Sequence, residues 1–440
     1  MHEKIGVVSL GCTKNLVDTE NMLGILQAKG YVLTNDPSAA DAIVVNTCGF
    51  IKDAKQESIN TILEMAEYKQ TGSLKGLIVT GCLSERYKLE LVEELPEVDA
   101  FLGVSNYGDI AKTVEDVLKG KKYANFERKA LLTGENRVLT TAPYLAYIKI
   151  AEGCDNCCSY CAIPSIRGPL RSRSMEDILT EARSLLNRGV QEIVLIAQDT
   201  TKYGLDLYGE PKLLAIAKSI ADMKETRWLR VLYSYPESIT EDLVDLFLGH
   251  EKICDYIDMP VQHLDDKILK LMNRRSNYET VCEAVERVRK RSGGFILRTS
   301  IITGFPEETE KEHEALKAGM KKLKFDRLGV FKYSREEGTK AAGSAHQVPA
   351  SVKKRRFDEL MELQAQISEE RNASRIGKTY SVLIEGFDET SALYYGRSYA
   401  EAPDIDGKVF VRSKKHLTPG AFHDVVITEA FEYDLMGEPV

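Results

Sequence analysis

Long apolar stretches, internal repeats and an excess of basic residues are all missing from this chain of 440 residues. No apolar run approaches the roughly 18 residues that a membrane-spanning helix needs, and residues 1–10 are too few and too charged for a secretory signal. With 43% hydrophobic and 29% charged residues, the composition is typical of a chain that folds throughout. We therefore expect a folded protein of the cytoplasm that does not associate with membranes.

The net charge and the cysteines narrow the class of protein further. A net charge of −8 at pH 7 disfavours a protein that wraps around a phosphate backbone, because such proteins concentrate basic residues on one surface. A basic partner suits this charge better. The nine cysteines are an odd number, and the cytoplasm keeps thiols reduced, so disulfide pairing explains them poorly. Binding of a metal ion or a metal cluster is the better explanation.

The order of strand-like and helix-like segments predicts an α/β protein of about three domains. Residues 1–122 alternate short apolar runs with helical patterns, which indicates an N-terminal parallel α/β domain. After a charged linker at 123–143, six strand–helix units in 144–345 indicate a central partial (β/α)6 barrel, because a complete barrel has eight such units. A connecting helix at 346–376 and a small all-β barrel at 377–440 follow.

Cys154, Cys158 and Cys161 form a C-x3-C-x2-C motif directly after a predicted barrel strand, at the end of the barrel where active sites lie. Three thiolates can hold a four-iron cluster and leave one iron open, which can chelate S-adenosylmethionine and split it into a radical. The alternative is a zinc knuckle, because Cys157 completes two C-x2-C pairs. These pairs abut, whereas zinc pairs are normally separated by about 15–20 residues. The spacing therefore favours the cluster and leaves Cys157 without a ligand role.

A second group of cysteines follows three predicted strands of the N-terminal domain. Cys12, Cys48 and Cys82 each stand at the carboxyl end of a strand. Because the carboxyl ends of neighbouring parallel strands lie side by side, we expect the three thiols to converge on one edge of the sheet. A single cysteine at a strand end is commonly a small buried apolar residue. Three in equivalent positions predict a second three-cysteine site.

Both cysteine triads resemble those of the radical S-adenosylmethionine methylthiotransferases, and the resemblance covers essentially the whole chain. Four further segments are similar to the branch of that family that modifies an aspartate of ribosomal protein S-twelve: VSLGCTKN at 8–15, AQDTT at 197–201, DMPVQH at 258–263 and FDRLGVF at 325–331. The resemblance implies two 4Fe–4S clusters, one on each triad, together with S-adenosylmethionine and an external electron donor. It also implies a terminal barrel of the TRAM type that recognises the substrate.

The implied reaction has two stages. One S-adenosylmethionine methylates sulfur at the second cluster, and another yields the radical that removes hydrogen from the aspartate β-carbon, which then receives the methylthio group. Radical chemistry suits this carbon because no general base could deprotonate it beside an ionised carboxylate. The nearest alternative is a tRNA adenosine methylthiotransferase. A non-catalytic iron–sulfur or zinc scaffold that binds the ribosome is a second alternative.

Several polar residues near the ends of barrel strands are candidates for binding S-adenosylmethionine or the substrate: Gln198, Asp199, Ser234, Gln262 and Arg298. Ordinary capping of strand ends, or a structural salt bridge of the arginine, explains them equally well. The run from Gly304 to Pro306, after the fifth barrel strand, resembles the family's loop near the adenosyl group, although a single Gly-x-Pro run is also typical of an ordinary turn. No side chain is assigned an acid–base role in catalysis.

Charge gives two further expectations about partners. Residues 377–440 hold six Lys or Arg against eleven Asp or Glu, a net charge of −5 that would repel RNA and attract a basic ribosomal protein, whether free or within the small ribosomal subunit. In contrast, Arg167, Arg171 and Arg173, together with the basic run at 353–356, predict a local basic patch that could face RNA. Direct contact with RNA is therefore allowed but not required.

Overall fold

The computed structural model describes residues 3–129, 134 and 137–440. The range predicted as a linker, 123–143, lies in part outside the described residues, as do the first two residues of the predicted N-terminal domain. Within the described part of the chain, no helix is both long and apolar enough to cross a membrane. The chain divides into two compact units, one formed by Met1–Val190, Leu195–Ile216 and Ser334–Ala342, and the other by Gln191–Val194, Ala217–Tyr333 and Gly343–Val440.

The N-terminal part of the first unit is a parallel sheet of order β2-β1-β3-β4-β5-β6. Its strands are β1 (Lys4–Ser9), β2 (Val32–Thr34), β3 (Ala42–Thr47), β4 (Gly76–Gly81), β5 (Ala100–Leu102) and β6 (Tyr123–Asn125). Its helices are α1 (Thr13–Ala28), α2 (Lys52–Thr71), α3 (Cys82–Tyr87), α4 (Leu89–Glu94) and α5 (Ile110–Leu118).

Strands β3 and β4 are continuous apolar runs because both faces of the sheet are covered by helices. Ile43 and Val45 belong to one core cluster, whereas Val44 and Ile78 belong to another. Alternate residues of a strand point to opposite faces, so the two clusters are the cores on the two sides of the sheet.

The central segment carries eight strands and eight helices. The strands are β7 (Leu145–Lys149), β8 (Ala151–Glu152), β9 (Arg171–Ser172), β10 (Glu192–Ile196), β11 (Trp228–Val231), β12 (Tyr256–Asp258), β13 (Ile296–Thr303) and β14 (Arg327–Lys332). The helices are α6 (Ile163–Arg167), α7 (Met175–Asn187), α8 (Leu205–Tyr208), α9 (Leu213–Ala221), α10 (Glu241–Gly249), α11 (Asp266–Leu271), α12 (Tyr278–Arg291) and α13 (Glu310–Leu323). Six of the strands form two three-stranded sheets, of orders β11-β10-β7 and β12-β13-β14.

The C-terminal segment begins with a long helix, α14 (Ala350–Ala373), and ends in a closed five-stranded barrel. The barrel strands are β15 (Thr379–Asp388), β16 (Leu393–Arg397), β17 (Val409–Val411), β18 (Phe422–Ala430) and β19 (Leu435–Pro439), in the order β15-β16-β17-β19-β18. Inward residues such as Val382, Val409 and Leu435 fill its core. The predicted fold class, with an N-terminal parallel sheet, a central partial barrel and a C-terminal all-β barrel, is confirmed.

Candidate metal centres

Three neighbouring strands of the N-terminal sheet lead into cysteines. Cys12 caps the start of α1 shortly after β1, Cys48 directly follows β3, and Cys82 is the first residue of α3 directly after β4. Because β1, β3 and β4 are adjacent in the parallel sheet, the three cysteines lie along one edge, as the sequence predicts. Cys48 and Cys82 are buried, whereas Cys12 is exposed.

Two glycines beside these cysteines let the three loops approach closely. A Cβ atom at Gly11 would lie 3.0 Å from the Sγ atom of Cys48, and Gly11 has a φ of +91° that favours glycine. A Cβ atom at Gly49 would lie 2.7 Å from the backbone nitrogen of Leu83, the residue after Cys82. Any larger residue at either position would push the strand ends apart, so these glycines allow the triad to converge.

Asn15, on the first turns of α1, joins the strand ends from the side. Its Nδ2 atom donates hydrogen bonds of 2.9 Å to the carbonyl oxygens of Leu10 and Thr47. Its Oδ1 atom lies 3.6 Å from the Sγ atom of Cys82, which donates to it. One buried amide therefore contacts all three segments that carry the second cysteine group.

The electrostatic surroundings of these thiols fit three ligands of one metal cluster. Burial raises the pKa of the Cys82 thiol to about 11, and the Cys12 and Cys48 thiols raise it too, while the cation of Arg167 lowers it. Burial also raises the pKa of Cys48. Thiols that influence one another's pKa lie near one another, and they would give up their protons on binding a metal. Three convergent thiols facing one buried cation suit an electron-rich thiolate cluster.

The first triad, formed by Cys154, Cys158 and Cys161, lies in the loop between β8 and α6. Cys154 and Cys158 are buried and Cys161 is half-buried. The backbone N–H groups of Asn156 and Ile163 donate to the Sγ atoms of Cys154 and Cys161, at 3.4 Å each. Backbone donors aimed at sulfur stabilise thiolates, so this loop fits a three-thiolate cluster.

Cys157 is exposed, and its thiol contacts the carbonyl oxygen of Asp155 at 3.8 Å. It therefore differs in environment from the three other cysteines of the same loop, as expected for a residue outside the ligand set.

The loop is anchored to the end of β10. The Nδ2 atom of Asn156 donates to Asp199 at 2.9 Å, and Lys202 donates to the amide oxygen of Asn156. The Asp199 carboxylate also accepts a hydrogen bond from the backbone N–H of Thr201, so Asp199 caps the short 3-10 turn that follows it. Gln198, one residue earlier, donates to Glu152 at 3.0 Å through its Nε2 atom. The predicted candidates Gln198 and Asp199 thus lie beside the cysteine loop.

Comparison with known proteins gives three family models that match in chain order. The model described as "Uncharacterized protein family UPF0004" matches residues 4–103, the radical SAM superfamily matches 148–318, and the TRAM domain matches 376–440. The superfamily match implies one 4Fe–4S cluster and S-adenosylmethionine as cofactors.

Curated relatives match the chain from end to end. The ribosomal protein uS12 methylthiotransferase RimO of Thermoanaerobacter sp. (strain X514) is 50% identical over 99% of this chain and 100% of its own length. RimO of Acetivibrio thermocellus is 49% identical over 100% of this chain and 99% of its own length. This chain belongs to the RimO family. The predicted family and branch are confirmed, and the tRNA branch is not favoured.

Solved structures share the fold of this RimO family member. The radical S-adenosylmethionine methyltransferase TsrM of Kitasatospora setae has a TM-score of 0.55 at 13% identity and covers 74% of this chain and 72% of its own. The cobalamin-dependent S-adenosylmethionine radical enzyme OxsB has a TM-score of 0.53 at 12% identity and covers 82% and 56%. At these identities the likeness concerns the fold alone.

The remaining candidates of this RimO family member lie in the second compact unit. The backbone N–H of Ser234 donates to the carbonyl oxygen of Asp258, and Gln262, with a φ of +71°, pairs by its backbone with β13. Arg298 donates to the Asp258 carboxylate at 2.6 Å, which makes it a partner in a salt bridge. Gly304 has a φ of +71°. A role in binding S-adenosylmethionine stays a prediction for all four.

The predicted basic patch is wrong for three of its arginines. The side chains of Arg167 and Arg173 are 1% and 5% exposed, and that of Arg356 is 4% exposed. Arg173 pairs with Glu181, and Arg356 pairs with Glu308. A buried guanidinium needs such partners, so these cations are internal parts of the fold and cannot face RNA.

Sequence reasoning missed the buried polar residues that surround the second triad. Asn15 lies within the segment 8–15 that resembles the family, but nothing in that pattern indicates its hydrogen bonds. Arg167 stands directly after the loop of the first triad, and only the fold brings it to Cys82. Its position six residues after Cys161 was the one feature of the sequence that could have indicated a place near the cysteines.

Proposed function

We propose that this chain is a radical S-adenosylmethionine methylthiotransferase that adds a methylthio group to the β-carbon of an aspartate in ribosomal protein uS12. The activity and the substrate for which its full-length relatives are named support this proposal. The observation that carries the proposal is the presence of both cysteine triads in one compact unit, one at the carboxyl ends of three adjacent strands and the other within a single loop. Sulfur transfer needs a second cluster beside the radical site, and a simple radical enzyme would not.

In this proposal Cys154, Cys158 and Cys161 hold one 4Fe–4S cluster, and Cys12, Cys48 and Cys82 hold another. When bound, the first cluster supplies the electron that splits S-adenosylmethionine, and an external donor supplies electrons to the cluster. The protein's own part is to aim backbone N–H groups at the sulfur atoms and to keep the cysteine loop rigid through Asn156 and Asp199.

Gln198 is the best supported of the proposed contacts to S-adenosylmethionine. Its Oε1 atom is buried, and no hydrogen-bond partner for it occurs among residues 3–129, 134 and 137–440. A buried amide oxygen without a partner is costly, which suggests that a donor on a bound molecule satisfies it. Asp199 is engaged in capping and in holding Asn156, so we assign it to positioning the loop. Ser234, Gln262, Arg298 and Gly304 remain proposed contacts.

The charge of the terminal barrel supports a protein substrate. Its net charge of −5 would repel the phosphates of RNA, whereas ribosomal proteins are typically basic. Six of its acidic residues are exposed and available to a partner: Glu389, Asp404, Asp424, Glu429, Glu432 and Glu438. We propose that the barrel attracts uS12, either free or within the small ribosomal subunit.

The organisation proposed for the chain follows the predicted ranges. These are an N-terminal domain at 1–122, a linker at 123–143, a radical domain at 144–345, a connecting helix at 346–376 and a TRAM barrel at 377–440. The first residues of the linker range form β6, which belongs to the N-terminal sheet. We propose that the protein acts in the cytoplasm, where its ribosomal substrate is made.

The test is anaerobic reconstitution of the full chain with iron and sulfide, followed by separate incubation with uS12 and with unmodified tRNA. Both reactions contain S-adenosylmethionine and a reductant, and mass spectrometry scores each product for one methylthio group. We expect uS12 alone to gain the group, at an aspartate. A variant of uS12 with that aspartate replaced by asparagine is the matched control and should stay unmodified. Modification of the tRNA alone would contradict the proposal.

A further inference from the structure

Arg167 occupies an unusual position between the two cysteine groups. It is the last residue of α6, which begins two residues after Cys161, so its backbone belongs to the first triad's loop. Helix α6 packs on α3 through a small apolar cluster that includes Cys82 and Ile166. The side chain of Arg167 is 1% exposed and extends from the loop of one triad to a cysteine of the other.

The two ends of the Arg167 guanidinium have different partners. Its Nη1 atom donates to both carboxylate oxygens of Glu152 at 2.8 Å and to Asp18 at 3.1 Å. Its Nη2 atom donates to the Oδ1 atom of Asn15 and lies 3.4 Å from the Sγ atom of Cys82. One rigid group thus contacts two carboxylates on one side and an amide and a thiol on the other.

A purely structural salt bridge does not explain why the Nη2 atom of Arg167 faces the sulfur atom of Cys82. Lys149 also pairs with Asp18 and Glu152, so this buried cluster already balances two cations with two carboxylates. The pair Lys149 and Glu152 would be satisfied without the Nη2 atom, which is directed at Asn15 and Cys82.

We infer that Arg167 is a positioning residue for the cluster held by Cys12, Cys48 and Cys82, and that its hydrogen bond to Cys82 raises the reduction potential of that cluster. The inference rests on the proposed function, because it requires a cluster on this triad. A donor N–H and a fixed positive charge both stabilise the more negative, reduced state of a thiolate-bound cluster. Arg suits this role because its planar fork can serve carboxylates and sulfur at once, which a lysine cannot.

The test uses the full chain with Cys154, Cys158 and Cys161 replaced by alanine, so that only the second cluster assembles. Arg167→Gln is introduced into this background, and the cluster is titrated at controlled potentials while its electron paramagnetic resonance signal is recorded. At the potential that half-reduces the parent, we expect the ratio of reduced to oxidised cluster to fall about tenfold, since a hydrogen bond to a charged group is worth about that factor. Arg173→Gln, which removes a buried arginine paired with Glu181, is the matched control and should leave the ratio unchanged.

Arg167→Lys keeps the charge but loses the directed N–H, so its midpoint potential should lie between those of the parent and Arg167→Gln. If Arg167→Gln binds no iron, the inference is tested by the shift of the midpoint potential in Arg167→Lys. An unchanged potential in both variants, or an equal shift in Arg173→Gln, would overturn the inference. A parent that binds no iron would instead contradict the proposed second cluster, which is a different result.

Discussion

The side-chain amide of Asn15 donates a hydrogen bond of 2.9 Å to the carbonyl oxygen of Thr47, the residue before Cys48. The same amide bonds the carbonyl oxygen of Leu10 at 2.9 Å, so one helix residue ties the end of β1 to the end of β3. Both acceptors lie where the sheet pairing stops and the cysteines begin. The convergence of the second triad therefore depends on a side chain as well as on the strand order.

Replacing Asn15 by alanine should destabilise the first unit and loosen the second triad. The change leaves two carbonyl oxygens at a buried position without this donor, which should lower the free energy of unfolding by about 2–4 kcal/mol. Chemical denaturation of the iron-free protein measures the loss. Iron analysis after reconstitution should show that the second triad retains less iron than in the parent. Asn60→Ala, at an exposed position on α2, is the control and should change stability by less than about 0.5 kcal/mol.

Removing each triad separately should show how much iron each one binds and which step of the reaction depends on it. With either triad replaced by alanine, iron should fall from about eight to about four atoms per chain, because each cluster holds four. Loss of Cys154, Cys158 and Cys161 should abolish cleavage of S-adenosylmethionine, which is measured as 5′-deoxyadenosine. Loss of the other triad should leave that cleavage intact and abolish only methylthio transfer to uS12.

Cys157→Ala is the control for these variants, because this exposed cysteine shares the loop but not the buried setting of its neighbours. It should keep both clusters and full activity. Loss of half the iron in Cys157→Ala would count against the assigned ligand set, whereas bound zinc in the parent that is lost in Cys157→Ala would favour the zinc alternative in that loop.

Asp255 should make the stability of the second unit depend on pH. Burial raises the pKa of its carboxyl from 3.8 to about 6. The folded protein then binds this proton more tightly than the unfolded chain, so the free energy of unfolding falls as pH rises from about 4 to about 6. Asp255→Asn removes this contribution. It should be more stable than the parent by about 1 kcal/mol at pH 7.5, a value reduced for partial solvent screening, and equal to it at pH 3.5.

Denaturation at the two pH values measures this difference. Asp53→Asn, at an exposed position in the first turn of α2, changes the net charge equally and is the control. A gain in Asp255→Asn that persists unchanged at pH 3.5 would show that the carboxylate is not its source.

The acidic barrel should attract uS12 by long-range electrostatics. Replacing exposed Glu389, Asp424 and Glu432 by their amides should slow association with uS12 about three- to tenfold at low salt. The difference from the parent should disappear at high salt, where charges are screened beyond a few ångströms. Stopped-flow or surface-binding measurements at several salt concentrations test both points.

A control set with the same charge change is available on α4, where Glu90, Glu93 and Glu94 are exposed. Their amide variants should affect association much less. Equal slowing in both sets would mean that net charge alone, and not the barrel, attracts the substrate.

The sequence predicted most strands of this fold because they are long and apolar. Strands β3 and β10, for example, stand out from their surroundings as continuous buried runs. Five of the 19 described strands were missed. Strands β2 and β6 have three residues each, and β8 and β9 have two each, which is too short for a period to emerge. Strand β19 contains Gly437 and Pro439, two residue types that are typical of turns. Only its pairing with β17 and β18 identifies it as a strand.

By itself the sequence determined the two cysteine triads, their positions after strands and the family to which the chain belongs. The spacing of Cys154, Cys158 and Cys161 is a local feature, because it alone decides that these thiols can share a cluster. For Cys12, Cys48 and Cys82 the sequence gives only their places at strand ends, and the strand order brings them to one edge. The tertiary structure alone decided where the side chain of Arg167 lies and what it contacts. Read in sequence it is part of an exposed basic run, yet it is buried against Glu152, Asn15 and Cys82. The environment of a charge depends on residues distant in the chain, and no local pattern reports which of them the fold brings together.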